Sequence, residues 1–245
     1  MSDKDHTIAA QSQRTLVKSR RQSEALKSRK DKILDTAEQQ FARHGYDGLT
    51  LRTVARKAGV DVALPSYHFG SKRGLFDAVL LRRADYLNAV RLKALAEAEV
   101  RAKVGGRACA SVEDVIDAFL RPILDRSADE LRDEGWIYYY ELVAFVNSSH
   151  DWGGVLMSKY FDPLATRFLD ALKKALPAAA PEDLYWCYHF LSGALTLTFA
   201  QTERIDHLSK GLCRSDDLRA ACSRMVPFVV AGFEALCLEH AKADG

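Results

Sequence analysis

Between residues 50 and 72 the chain reads TLRTVARKAGVDVALPSYHFGSK, and the residues that start and stop helices leave room for two short helices and a restart. Thr50 is placed to cap the first helix, with Leu49 before it and Val54 within it able to close against each other as a hydrophobic staple. Val54 and Ala55 are expected to face inward, the small Ala55 allowing a second helix to approach closely. Gly59 is the residue through which the chain leaves the first helix in a left-handed conformation. Val60 plugs the corner. Asp61 is expected to cap the second helix, over about Val62 to His68, and Ser71 the one after it. Two short helices held at a fixed angle are a common device for laying the second in the major groove of DNA.

From Leu34 to Leu75 the chain resembles the DNA-binding domain of TetR-family transcriptional regulators. The matching residues are Phe41, Ala42, Gly45, Tyr46, Thr50, Ala58, Gly59, Val60, Tyr67, His68, Phe69, Ser71 and Lys72. Pro65 departs from the family pattern, which has a non-proline residue there. As the fourth residue of the expected helix it removes one backbone donor near the start, where the loss is tolerated. The resemblance implies an all-α protein of about nine helices. A three-helix DNA-binding domain at the N-terminus is followed by a helical domain for ligand binding and dimerisation.

The net charge of +2 is low for a DNA-binding chain until it is located. Residues 14 to 32 hold eight Lys or Arg against two acidic residues, so a net +6 sits beside the helix-turn-helix and the rest of the chain is acidic. Charge placed this way steers one end toward phosphates. Residues 1–28 read as a disordered basic arm, 29–75 as the DNA-binding domain and 76–245 as the ligand-binding and dimerisation domain. In the arm, Arg20, Arg21, Lys27 and Arg29 are the candidates for following phosphates or entering a minor groove. In the head, Lys72 and His68 are candidates for phosphate and Arg52, Thr53, Val62, Ala63, Ser66 and Tyr67 for the groove, with Thr50 a further DNA-binding candidate. Arg52 is the strongest candidate for a bidentate base contact.

Helical periodicity continues to the end of the chain. The first helix is expected over about Arg29 to His44, with Ile33, Leu34, Ala37 and Phe41 on one face. A long helix should run from about Arg73 to Arg101, and another from a Ser111 cap to about Arg126, bent at Arg121-Pro122. Further helices are expected over Asp129 to Ser149, Trp152 to Leu176 with a kink near Pro163, Pro181 to about Arg204, and Asp216 to about Lys242. No strand is expected. At 245 residues the chain should bury roughly 70% of its unfolded surface.

The last two long helices carry more apolar surface than one copy needs, which points to a homodimer through a four-helix bundle. Trp186, Phe190, Gly193 and Leu197 on one and Val229, Phe233 and Leu236 on the other are the interface candidates. An aromatic stretch, Trp136 to Phe145, marks the place for a small-molecule effector. Its candidates are Phe119, Arg121, Trp136, Tyr139, Tyr140, Val143, Asn147, His150 and His189, around a largely apolar ligand whose anionic or hydroxyl group would meet His150, His189 or Arg121. Such residues equally describe a helical core in which Tyr and His find buried partners. Ligand binding is expected to release the dimer from a palindromic operator, as the resemblance implies.

No cofactor or metal is expected. There is no nucleophile elbow, phosphate loop or metal-ligand spacing, so an enzyme is not the reading. Cys109, Cys187, Cys213, Cys222 and Cys237 form no Cys-x-x-Cys pair and suit reduced, mostly buried thiols in a cytoplasm. No run approaching about 20 apolar residues, the length that spans a bilayer, is evident, nor is an apolar N-terminal signal segment. The competing reading is a DNA-organising or protein-partner module with no effector.

Overall fold

The computed structural model describes residues 28–125, 135–150 and 153–243, with side chains through Cys237. Arg20, Arg21 and Lys27 lie outside them, as do residues 129–134 of the helix expected from Asp129. The described residues form eleven helices and no strand. These are α1 (28–44), α2 (Leu51–Ala58), α3 (Leu64–Phe69), α4 (Lys72–Val104), α5 (Val112–Leu124), α6 (Gly135–Ser148), α7 (Gly153–Tyr160), α8 (Asp162–Ala175), α9 (Pro181–Ala200), α10 (Arg204–Leu208) and α11 (Leu218–Ala243). They fall into two compact units that divide after Val79, inside α4 and four residues beyond the expected boundary.

The N-terminal unit is built on α1, which buries Ile33, Leu34, Ala37 and Phe41. Phe41 meets Phe76 edge-on at 4.9 Å, and Tyr46 meets Phe76 at 5.3 Å. Leu49, Val54, Ala55 and Leu75 complete this small core. Residues with large side chains at these few positions let a short unit bury enough apolar surface to hold its helices.

In the C-terminal unit, α5 packs on α11 and α8, α6 on α9 and α7, and α9 also on α8 and α11. The start of α5 carries a reciprocal cap. Ser111 Oγ accepts from the Asp114 amide at 3.1 Å, and the Asp114 carboxylate accepts from the Ser111 amide at 3.1 Å and from Arg107 at 2.8 Å. Partial burial would raise the Asp114 pKa, but the donors of Ser111 and Arg107 outweigh it and hold the carboxyl below its usual range.

The expected helix from Trp152 to Leu176 is two helices. The chain breaks at Phe161, and Pro163 sits in the first turn of α8, where its missing N–H costs nothing. The expected helix ending near Arg204 stops at Ala200, because Gln201 takes a left-handed conformation with φ of 43°. The separate short helix α10 follows. Contrary to the expectation about apolar runs, Leu218–Cys237 of α11 is long and apolar enough, by length and composition, to cross a membrane. Arg219, Arg224 and Glu234 interrupt it without lowering its average far enough. Its stripe of Leu218, Cys222, Val226, Val229, Phe233 and Cys237 is buried in the unit.

Candidate DNA interface and ligand cavity

The corner at residues 50–72 is closed by its caps. Thr50 Oγ1 accepts from the Thr53 amide at 3.1 Å. Gly59 is left-handed, with φ of 66°, and the amide of Val60 reaches back to Ala55 O at 3.1 Å. Ser71 Oγ accepts from the Gly74 amide at 3.0 Å and starts α4. Gly74 has no room for a side chain, because a Cβ there would lie 2.1 Å from Phe69 O. The absent side chain therefore sets how closely α4 follows α3.

One cap differs from the expectation. Asp61 Oδ1 accepts from the Ala63 amide at 2.8 Å, but Val62 and Ala63 form a turn and α3 begins at Leu64. Pro65 thus stands in the first helical turn, where no amide donor is needed, and is buried. The recognition helix is shorter than the expected span.

Arg52, Val62, Ala63, Ser66 and Tyr67 are all exposed, Tyr67 at 77%, and Thr53 is half-buried. Arg56, one turn beyond Arg52 on α2, is also exposed and was not among the expected contacts. Helical spacing alone would have found it. Thr50 is committed to its cap and to a 2.9 Å contact with Thr53 Oγ1. Lys72 Nζ lies 4.1 Å over the Tyr46 ring. His68 is the other expected phosphate contact. It is half-buried, and its Nε2 is enclosed without a hydrogen-bond partner. Arg29 is exposed on α1.

In the C-terminal unit a cavity of about 40 Å³ lies between α4, α5, α6, α7, α8 and α9. Of the expected ligand residues, Phe119, Tyr139, Val143 and Asn147 line it. Trp136 is buried but is not part of the lining, and Tyr140 is core: its hydroxyl donates to Ile123 O at 2.8 Å and its ring stacks on Phe199 at 4.3 Å. The three expected polar partners are elsewhere. Arg121 is exposed and held by Asp117 at 2.6 Å, one turn away on α5. His150 is exposed, and His189 is exposed against Trp186 at 5.7 Å.

The cation at the cavity is Arg91, which sequence reading missed. A signal for it existed. Leu80, Ala84, Leu87, Leu95, Ala98 and Ala102 form the buried stripe of α4, and Arg91 occupies the position between Leu87 and Leu95. Its Nε donates to Phe119 O at 2.9 Å, and its guanidinium lies 4.2 Å over the Phe119 ring. Burial lowers its pKa to about 10, against the opposing effect of Tyr188, Tyr140 and Tyr139, so it is charged at neutral pH. Tyr188, Ser192 and Thr196 also line the cavity, and Asn147 Nδ2 donates to the hydroxyls of Ser192 and Thr196.

On the outside of α9, Trp186 is 50% exposed and Phe190 and Leu197 are each 60% exposed, while Gly193 is exposed with open space around it. On α11, Val229 and Phe233 are buried within the chain and Leu236 is half-buried, and all three also line the groove between α9 and α11. Phe228, at 75% exposure, is the large outward side chain there. A groove of about 580 Å³ runs between the two helices, bordered by Phe190, Ala194, Phe228 and Gly232. Among the cysteines, Cys187, Cys222 and Cys237 are buried, and burial together with the neighbouring Cys237 pushes the Cys187 thiol up to about 12. Cys109 is half-buried and Cys213 exposed.

A capped helix-turn-helix with an open basic and polar face defines a DNA-binding protein of the helix-turn-helix class. Residues 33–79 match the family described as "Bacterial regulatory proteins, tetR family", and residues 117–232 match "Tetracyclin repressor-like, C-terminal domain". The chain belongs to the TetR family of DNA-binding transcriptional regulators and is not an enzyme. It is 41% identical over 59 residues to the biofilm operon icaADBC HTH-type negative transcriptional regulator IcaR of Staphylococcus aureus (strain Newman), covering 24% of this chain and 32% of that one. It is 52% identical over 44 residues to the HTH-type transcriptional regulatory protein RaaS of Mycobacterium tuberculosis, covering 18% and 20%. The match thus spans about a third or less of these relatives' length. The fold is similar to that of a solved tetR family transcription regulator from Shewanella sp. PV-4, with a TM-score of 0.57 at 15% identity over 84% of this chain and 95% of that one. It is also similar to the ketosteroid transcriptional regulator KstR2 of Mycobacterium tuberculosis, with a TM-score of 0.55 at 16% identity over 83% and 94%.

Proposed function

We propose that this regulator is a homodimeric repressor in the cytoplasm that holds a palindromic operator and is released by a largely apolar small molecule. The observation that carries the dimer is the outward stripe of Trp186, Phe190 and Leu197, each half or more exposed. Contiguous large apolar side chains left in water mark an interaction surface. Isologous pairing of α9 and α11 with a second copy covers them, and a two-fold axis then presents two copies of α3 to one operator. Arg52 reads a base edge, and Val62, Ala63, Ser66 and Tyr67 supply apolar and hydroxyl contacts, with the phosphates held by Lys72 and the residues preceding α1. Repression is the polarity in keeping with a relative named a negative regulator.

A selection from random duplexes with the purified protein tests the reading. The expected product is an inverted repeat whose half-site centres are about one helical turn apart, roughly 34–36 Å or a multiple of it. Enrichment of a single unrepeated site, or no enrichment, contradicts the dimeric operator.

A further inference from the structure

Arg91 stands in the apolar stripe of α4, between Leu87 and Leu95, where a leucine would pack without any charge. Burying a guanidinium is expensive unless it is paired and fully hydrogen-bonded. Here the Nε–H is used by Phe119 O at 2.9 Å and one ring face lies over the guanidinium at 4.2 Å. Its electrostatic neighbours are the tyrosines 188, 140 and 139, and no carboxylate of a described residue pairs with it. The residue is only 4% exposed and borders the cavity, so the unbalanced positive charge lies at the cavity wall.

We propose that the cavity takes a hydrophobic carboxylic acid, bound as its anion, with the Arg91 guanidinium receiving the carboxylate. This names the effector class and rests on the effector-controlled reading above. The chemistry of the walls selects this class. With Nε engaged by Phe119, the terminal nitrogens remain for a planar two-oxygen acceptor, the geometry that guanidinium matches in two parallel hydrogen bonds. One cation balances a single negative charge. A phosphate dianion would leave a second charge buried among Phe119, Leu164 and Phe199. Those side chains fit an alkyl or aryl body, and the Tyr188 hydroxyl, which also lines the cavity, is a donor for the carboxylate. The cavity volume of about 40 Å³ holds a head group, so the body enters by displacing lining side chains, with the unbranched Met157 the most adaptable.

Calorimetric titration of the full chain at pH 7 compares octanoate, phenylacetate and 4-phenylbutyrate with their primary amides. The expected result is that at least one acid binds about 10- to 100-fold tighter than its amide, the range for a buried charge-assisted hydrogen bond. In Arg91→Met that preference falls to within about twofold, and in Arg91→Lys part of it remains, since the charge stays and the planar fork is lost. The unliganded Arg91→Met protein should melt no lower than the parent, because it loses an uncompensated buried charge. Equal binding of acid and amide overturns the proposal, and so does an acid preference that survives in Arg91→Met, or no binding by any acid at millimolar concentration. The acid–amide comparison on the unsubstituted protein stands without any variant. The same acids are then added to the operator complex. An acid that binds through Arg91 and leaves the operator bound contradicts effector release alone. Release by a neutral compound, with no acid preference, contradicts the role of Arg91 alone.

Discussion

At the scale of single residues, charge placement separates function from packing. Arg52 is exposed on α2 and has the one long forked side chain among the groove-facing candidates, so it is the residue expected to carry direct base readout. Arg52→Ala should weaken operator binding by about 1–3 kcal/mol and relax the preference at one base pair of each half-site. A uniform loss on every sequence, measured by competition with single-base operator variants, would assign it to phosphate. Gly74 is the opposite kind of residue. With Phe69 O 2.1 Å from where a Cβ would stand, Gly74→Ala must shift the start of α4 relative to α3. The expected outcome is a lower melting temperature and loss of specific DNA binding together. A variant that melts as the parent and binds its operator unchanged would show that the close approach is dispensable.

At the scale of elements, caps and exposed stripes carry the account. Ser111→Ala removes one side of the α5 capping box and should cost about 1 kcal/mol, a fall of about 2–4 °C in melting temperature for a chain of this size. The depressed Asp114 pKa gives the pH dependence its sign. Its contribution is present above the ordinary carboxylate range and is lost as pH falls through the lower folded value. The parent and Ser111→Ala should therefore converge in acid, and a gap that widens below pH 4 is the contrary result. On α9, Phe190→Glu places a charge in the exposed apolar stripe. It should turn the dimer to monomer by sedimentation while leaving the far-ultraviolet circular dichroism unchanged. An unchanged sedimentation coefficient would place the interface elsewhere.

Much of this was legible because the head is governed by local rules. Thr50, Gly59 and Ser71 act on the backbone within three or four residues, so their spacing states their structure. Asp61 misled because Pro65 suits the first helical turn, which moves the start of α3 to Leu64. The ligand cavity was read from residue type on α5, α6 and α9, whereas its lining also draws on α4, α7 and α8. Tyr140 looked like a wall and is core, and His189 looked like a polar partner and faces outward. Arg91 was passed over because long helices usually carry their arginines on the solvated face. Checking it against the α4 stripe would have exposed the mismatch.

At the scale of the whole molecule, the net charge of +2 hides a strong asymmetry, with a net +6 in residues 14–32. Binding to DNA should therefore weaken steeply with salt even where it is specific. The central claim, that this chain holds a particular DNA sequence, is tested most directly by fluorescence anisotropy. Labelled DNA from upstream of its own gene is titrated with the protein at several salt concentrations, in excess nonspecific competitor. A Kd on the order of 10⁻⁸ M or tighter that survives the competitor is expected. Binding that the competitor abolishes, both for this DNA and for duplexes enriched from a random pool, would contradict it.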